Sequence, residues 1–163
     1  MKSLILVRHA KTIQYGYDQD YERTLTDRGV QNADRISLEL VKCLIKPDLI
    51  ISSPAVRTTQ TTRIFAASCG YPASNVRYDK KLYSGMQTSN FIRMLNEVED
   101  KHTTVMVVGH NPTIYNFLDA LLPDFSLDVP TCSTIVMEFD IEKWSDLKDH
   151  TGKLIYRWIP DLL

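Results

Sequence analysis

Short apolar runs alternate with longer stretches of helical periodicity along this chain. The apolar runs predict strands at residues 3–8, 49–52, 76–78 and 104–109. Between them, apolar residues recur every three or four positions, as on the buried face of an amphipathic helix. Strands that alternate with helices in this way are typical of an α/β domain with a parallel sheet.

The helical segments carry their own start signals. Thr26 is a favourable N-cap for the first helix. The buried face predicted for that helix consists of Val30, Ala33, Ile36, Leu40, Val41 and Leu44. For the second helix we expect Ser53 as the N-cap and Pro54 in the first turn, with an end near residue 70. A third helix is predicted around residues 91–98.

The last part of the chain completes the predicted fold. Asn111 is expected to cap a helix that begins at Pro112 and buries residues 114–122 on one face. Two later segments, at residues 132–139 and 154–158, are predicted to pair as an antiparallel edge. The expected fold class is therefore three-layer α/β, a mostly parallel sheet with helices on both faces and an antiparallel C-terminal edge. We expect one domain over residues 1–163, a length that can bury a core.

Composition and charge act mainly by excluding classes of protein. With a net charge of −1 and a pI of about 6.4, no general basic field attracts nucleic acid or membranes. No apolar run approaches the roughly 18 residues of a membrane span, and the N-terminal run is too short for a signal peptide. The three cysteines form no C-x-x-C pair, which fits a reducing compartment. We therefore expect a cytoplasmic protein without nucleic-acid or membrane partners.

Cationic side chains gather where the predicted strands end. Arg8 and His9 follow the first strand, His110 follows the fourth, and Arg57 lies one turn into the helix after the second. The carboxyl ends of parallel strands share one edge, where ligand sites form. Because arginine groups and helix N-termini bind phosphate, the sequence predicts a phosphate pocket there. In the alternative, Arg8 and His9 pair with carboxylates of the next loop, namely Asp18, Asp20 or Glu22.

Neither the other two histidines nor a possible metal site argues against the predicted phosphate pocket. His102 precedes its strand and His150 lies in a polar connector, so both are expected to be solvated surface residues. A metal site built on His9 and His110 conflicts with the neighbouring arginines, which repel a divalent cation, and no acidic cluster accompanies the histidines. We therefore expect neither a metal nor an organic cofactor.

Four segments, in order, resemble motifs of the histidine phosphatase superfamily, which has the phosphoglycerate mutase-like fold. "LILVRHAKT" resembles its Arg-His signature, with Ala10 in place of the usual glycine. "DYERTLTDRGVQNA" is similar to the D-x-x-R-x-L-T-x-x-G segment of the short SixA-type branch, the phosphohistidine phosphatases. "DLIISSPAVRTTQT" resembles the S-S-P-x-x-R-x-x-Q-T motif, and "VMVVGHNP" the segment with the second histidine. The resemblance covers most of residues 4–122.

The resemblance implies a phosphatase with a covalent phosphohistidine intermediate. By carry-over, His9 is the nucleophile, and Arg8, Arg57 and His110 bind the phosphoryl oxygens, with Asn111 as an added donor. A nucleophilic imidazole must be neutral. We therefore expect its other ring nitrogen to donate to a backbone carbonyl, and nearby arginines to favour the neutral form.

The chain departs from the superfamily pattern at the proton donor. Many members place a carboxylic acid after a Leu-Tyr pair, but the residues after Tyr83 are not acidic. Asn111 stands where the acid branches place an aspartate directly after the second histidine. Asp18 and Asp20 are the remaining candidate donors, and Asp20 can instead pair with Arg23.

The absence of the usual proton donor affects which kind of substrate we expect. General acid catalysis is commonly worth ~10²–10⁴-fold for an ester, whereas the imidazole that leaves a phosphoramidate can already carry a proton. The sequence therefore favours phosphohistidine on a protein, bound in an open cleft. The alternatives are a broad small-molecule phosphomonoesterase of the same fold and a non-catalytic module that binds phosphate or phosphoproteins.

Overall fold

A six-stranded mixed sheet organises the chain in the computed structural model, which describes residues 1–163. The strands are β1 Lys2–Arg8, β2 Leu49–Ser52, β3 Arg77–Tyr78, β4 Thr104–Gly109, β5 Thr134–Phe139 and β6 Lys153–Trp158. Their order across the sheet is β3-β2-β4-β1-β5-β6. The pairs β1–β4, β2–β4 and β2–β3 are parallel, whereas β5 runs antiparallel to β1 and β6 antiparallel to β5. The predicted fold class, including its antiparallel C-terminal edge, is confirmed.

Five α-helices connect and cover the strands. They are α1 Asp27–Lys42, α2 Val56–Cys69, α3 Lys81–Ser84, α4 Thr88–Asn96 and α5 Thr113–Leu121. Short 3-10 turns lie at Asp20–Glu22, Ala73–Asn75, Trp144–Asp146 and Pro160–Leu162. None of the helices has both the length and the apolar character needed to cross a membrane.

The central strand β1 contributes to two hydrophobic cores, one on each face of the sheet. Leu4 and Leu6 belong to the core that includes residues of α4 and α5, whereas Ile5 and Val7 belong to the core formed with α1 and α2. Successive side chains of a strand point to opposite faces. An uninterrupted apolar run is therefore what a strand covered on both faces requires.

Helix α1 begins as predicted and lies very close to the loop after β1. The Thr26 hydroxyl accepts a hydrogen bond from the Gly29 amide at 2.9 Å. Gly29 has no side chain, and this allows the helix to approach the Lys11 backbone so closely that a methyl group would overlap the Lys11 carbonyl oxygen. This contact fixes the loop that follows His9 against the start of α1.

The predicted buried face of α1 is only partly right. Ala33, Ile36 and Leu40 are fully buried. Outside the core are Val30, Val41 and Leu44, and the last of these is 92% exposed. At 100° per residue, the two valines fall outside the stripe that the buried residues define. Leu44 lies beyond the end of the helix.

The start of α2 also differs from the prediction. The helix begins at Val56, so Ser53 is not its N-cap. The Ser53 hydroxyl lies 3.4 Å from the Ala55 amide but only 2.7 Å from Nε2 of His110, which directly follows the neighbouring strand β4. The Ser53 hydroxyl therefore makes a tertiary contact with His110 and does not cap the helix, contrary to the prediction from the local sequence pattern.

The prediction that His102 is a solvated surface residue is wrong. It does lie at the opposite edge of the sheet, but its side chain is only 13% exposed, and Nδ1 is 3.7 Å from a carboxylate oxygen of Asp48. The indole of Trp144 and the ammonium group of Lys2 both donate to the His102 carbonyl, at 2.7 and 2.9 Å. These buried groups cover the edge. His150 is exposed, as expected.

Replacement of Gly29 by alanine tests the contact between α1 and the loop after His9. Alanine is favoured over glycine inside a helix by about 1 kcal/mol, yet here its methyl group would meet backbone that cannot move aside. We expect Gly29→Ala to lower the free energy of unfolding by about 1–3 kcal/mol, as overpacking does, measured by urea denaturation. The matched control is Gln31→Ala at an exposed position of the same helix. Equal stability of the two variants would contradict the close approach.

Candidate active site

Three strand ends bring the predicted cations together at one edge of the sheet. His9 directly follows β1 and His110 directly follows β4, and these strands are paired in parallel with Arg8 opposite Gly109. The two imidazoles therefore leave the sheet side by side, with ring centroids 5.4 Å apart. Arg57, in the first turn of α2, reaches the same place from β2 and is buried, as are both histidines.

The two arginines are anchored but keep unused hydrogen-bond donors. Nη1 of Arg8 donates to the Val129 carbonyl at 3.0 Å, and both terminal nitrogens of Arg57 donate to Asp20. In each arginine, however, the buried Nε group has no acceptor. Buried donors without a partner are rare in folded proteins. An oxyanion held between these side chains would supply the missing acceptors.

The ring of His9 has a defined proton position. Nδ1 lies 2.7 Å from the Ala10 carbonyl oxygen. Because a carbonyl only accepts, Nδ1 carries the hydrogen and Nε2 carries a lone pair. Burial lowers the pKa of His9 to about 4; the Ala10 hydrogen bond opposes this shift, and the charges of Arg57 and Arg8 add to it. At neutral pH His9 is thus an uncharged imidazole with a free nucleophilic nitrogen, as the sequence led us to expect.

His110 is also held neutral. Burial lowers its pKa to about 3, and the charge of Arg57 adds to this effect. Its Nε2 contacts the Ser53 hydroxyl at 2.7 Å, which fixes the ring orientation, while Nδ1 is buried without a partner. The sequence did not identify Ser53 as a site residue, because its Ser-Pro context resembles an ordinary helix start.

Asp20 is the carboxylate that organises the arginines. It accepts hydrogen bonds from Arg57 Nη2 at 2.9 Å, from Arg23 Nε at 3.0 Å and from the Tyr83 hydroxyl at 3.0 Å. Partial burial alone would raise the pKa of Asp20, but the hydrogen bonds from Arg57 and Tyr83, with the arginine charges, lower it to about 2. The carboxyl group is therefore ionised at neutral pH. The expected pairing with Arg23 is present, whereas neither Arg8 nor His9 pairs with a loop carboxylate.

Tyr83 is a site residue that the sequence did not single out. Its ring meets the His110 ring edge-on, with centroids 5.5 Å apart, and lies 5.8 Å from the Arg57 guanidinium. Tyr21 packs against its other side at 5.1 Å. Helix α3, which carries Tyr83, is too short to produce a periodic signal. The Leu-Tyr pair in "KKLYSG" was the one available indication of this position.

Two further candidates lie in different surroundings. Asp18 is exposed and makes neither a hydrogen bond nor a salt bridge. The Asn111 side chain donates to the Val129 carbonyl at 2.9 Å and accepts from the Tyr115 amide at 3.2 Å. Helix α5 begins at Thr113 with Pro112 as its N-cap residue, so the prediction that Asn111 is the cap is wrong by one position, although its bond to Tyr115 still supports the first turn. Proton donation by Asp18 or Asp20 and phosphate binding by Asn111 stay predictions.

The site does not lie in any of the larger cavities of the molecule. Cavities of 260 to 490 Å³ occur elsewhere on the molecule, the largest beside the segment after α5. Arg8, His9, Arg57 and His110 line none of these cavities. No group of three or more His, Cys, Asp or Glu side chains stands together in a way that could hold a metal ion.

Comparison with known proteins agrees with this geometry. The family model of the histidine phosphatase superfamily (branch 1) matches residues 4–83. An uncharacterized protein of Mycobacterium tuberculosis is 36% identical over 107 residues, which cover 66% of this chain and 64% of that protein. The chain thus spans less than two thirds of the length of this curated relative.

Solved structures extend the similarity to the whole fold. A protein of Agrobacterium tumefaciens assigned as phosphohistidine phosphatase SixA is 25% identical, with a TM-score of 0.82 and 98% of both chains covered. One of Nakamurella multipartitia with the same assignment is 28% identical, with a TM-score of 0.82 and coverage of 98% and 96%. Residues 4–83 thus match the histidine phosphatase superfamily, and the fold of the whole chain is of the SixA type.

The depressed histidine pKa values predict how stability depends on pH. His9 and His110 have pKa values of about 4 and 3 in the folded protein and 6.5 in the unfolded chain. Between about pH 4 and 6.5 the unfolded chain therefore binds more protons, so the free energy of unfolding rises with pH. We expect His9→Asn to make this rise shallower in urea titrations across that range. His150→Asn, at an exposed position, should leave the slope unchanged. Parallel curves for wild type and His9→Asn would contradict the assignment.

Proposed function

We propose that this chain is a phosphatase in which His9 forms a covalent phosphohistidine intermediate, without a metal or an organic cofactor. The observation that carries the proposal is the hydrogen bond from His9 Nδ1 to the Ala10 carbonyl, because it leaves Nε2 of a neutral imidazole free to attack. The match of residues 4–83 to the histidine phosphatase superfamily supports the reaction class.

The proposed reaction has two steps that use the same oxyanion site. In the first, Nε2 of His9 attacks phosphorus and the bond from phosphorus to the leaving group breaks. In the second, water attacks the phosphoryl group on His9, which releases inorganic phosphate and restores the neutral imidazole. Arg8, Arg57 and His110 stabilise the charge on the equatorial oxygens in both steps. Asp20 keeps Arg57 in position through two hydrogen bonds.

We propose phosphohistidine on a protein as the substrate, and the state of the carboxylates supports this choice. Asp20 is ionised and has no proton to donate, and Asp18 is exposed without a contact to the site. Expulsion of an alkoxide from an ester would therefore lack a strong acid. A leaving imidazole can carry its proton on its own second nitrogen near neutral pH. The SixA-type neighbours favour the same substrate.

The first test compares phosphate release from a phosphohistidine peptide and from a phosphoserine peptide of otherwise identical sequence. We expect a strong preference for the phosphohistidine peptide. His9→Ala should lower turnover by about three orders of magnitude or more with an unchanged circular dichroism spectrum, while His150→Ala should retain it. Faster release from phosphoserine would indicate a broad small-molecule phosphomonoesterase. Phosphate binding without release from either peptide would indicate a non-catalytic binding module.

The second test asks whether Asp20 transfers a proton or only positions the arginines. In Asp20→Asn the amide keeps one acceptor for Arg57 but loses the charge. If Asp20 acts by positioning, the variant slows phosphohistidine and phosphoester hydrolysis by the same factor. A much larger loss on esters with good substrate binding retained would identify Asp20 as the acid. Asp18→Asn is the matched control, and we expect it to change neither rate.

A further inference from the structure

A polar cleft of about 320 Å³ lies beside the loop that carries His9. Its walls come from that loop, from the first turns of α1, from the segment before β5 and from the C-terminal turn. Polar side chains dominate the lining: Lys11, Gln14, Arg28, Asn32, Thr131 and Asp161. This cleft contains none of the residues that we place in the phosphoryl site.

Asn32 adds an amide group to the wall of the cleft. The residue is only 8% exposed, and its side-chain amide makes no hydrogen bond within the protein. Its polar atoms are not sealed from solvent, so they are accessible from the cleft. A ligand in the cleft can therefore form hydrogen bonds with Asn32 directly.

The charged side chains of the cleft favour an anionic ligand. The Lys11 ammonium group has no salt bridge. Arg28 has one, with its Nη2 atom 3.8 Å from a carboxylate oxygen of Asp161, and both side chains are largely exposed. An exposed pair at that distance contributes little to stability, so an incoming anion can replace Asp161 as the partner of Arg28. The cleft thus offers two cationic side chains and one amide donor, and its single carboxylate, that of Asp161, is only weakly paired.

The cleft is close enough to the catalytic histidine to contact the same substrate. Lys11 is two residues from His9, so their Cα atoms lie at most about 7 Å apart. An extended peptide advances about 3.3 Å per residue. One to three residues of such a peptide therefore span a distance of the same order as that between the Cα atoms of His9 and Lys11.

We propose that this cleft is a second anion subsite, which binds a carboxylate or phosphate group that the substrate carries outside its scissile phosphoryl group. The inference rests on the proposed phosphatase function. On a protein substrate the group is an acidic side chain near the phosphohistidine. On a small molecule it is a second phosphate. The subsite contributes to recognition and takes no part in the chemical steps.

The kinetic test uses two phosphohistidine peptides that differ only in flanking glutamate or glutamine residues. In the wild type the glutamate peptide has the lower KM. We expect Lys11→Gln and Arg28→Gln each to raise the KM of that peptide about three- to tenfold, with kcat unchanged and the KM of the glutamine peptide unaffected. The matched control is Lys148→Gln, an exposed lysine whose side chain makes no polar contact, near the opposite edge of the sheet. Equal KM values for both peptides in the wild type, or equal effects on both in the variants, would overturn the proposal for proteins.

A binding experiment separates this inference from the catalytic proposal. The side-chain amide signals of Asn32 are followed by NMR during titration with the unphosphorylated glutamate peptide and, separately, with inorganic phosphate. A shift that is lost in Lys11→Gln supports the subsite even if neither phosphohistidine peptide is hydrolysed, in which case only the proposed function fails. A response to phosphate alone assigns the group to a second phosphate. No shift with either probe overturns the subsite.

Discussion

The parallel pairing of β1 with β4 is the constraint on which the site depends. It sets Arg8 opposite Gly109, so the chains emerge from the sheet in register and both histidines follow at the same level. Any slip of one residue would move a histidine to the other face of the sheet. The two cores hold this register, because alternate residues of β1 are buried on opposite faces.

This arrangement concentrates positive charge in a largely buried part of the protein, where few hydrogen-bond acceptors are available to the arginines. Asp20 takes hydrogen bonds from two arginines and a tyrosine, and the Val129 carbonyl takes one each from Arg8 and Asn111. The same positive field and burial keep both histidines neutral. The carboxylate that anchors the arginines is, for the same reason, unable to hold a proton at neutral pH. Nucleophile activation and the absence of a ready acid thus have one electrostatic cause.

A site without a ready acid leaves recognition to surfaces outside the proposed phosphoryl pocket. In the proposed reaction the recessed residues contact only a tetrahedral anion, which is common to many phosphorylated molecules. Selectivity must then come from the leaving group and from contacts around the rim. The cleft with Lys11, Arg28 and Asn32 is the part of that rim where cations and an unpartnered amide meet.

Sequence patterns were enough to predict the main strands and the residues at their ends. β2 and β4 have the predicted bounds, because each apolar run is cut off by turn-forming residues, and strand direction then assigns His9, Arg57 and His110 to one edge. Which polar groups contact one another at that edge depends on the tertiary packing. Ser53 contacts His110 and Tyr83 contacts Asp20 across 57 and 63 residues of chain. Local patterns report which face of an element is apolar, but such long-range partners depend on how the elements pack. The half-buried His102 was mispredicted for the same reason, whereas Val30 and Val41 were mispredicted because they fall outside the helical stripe of the buried residues.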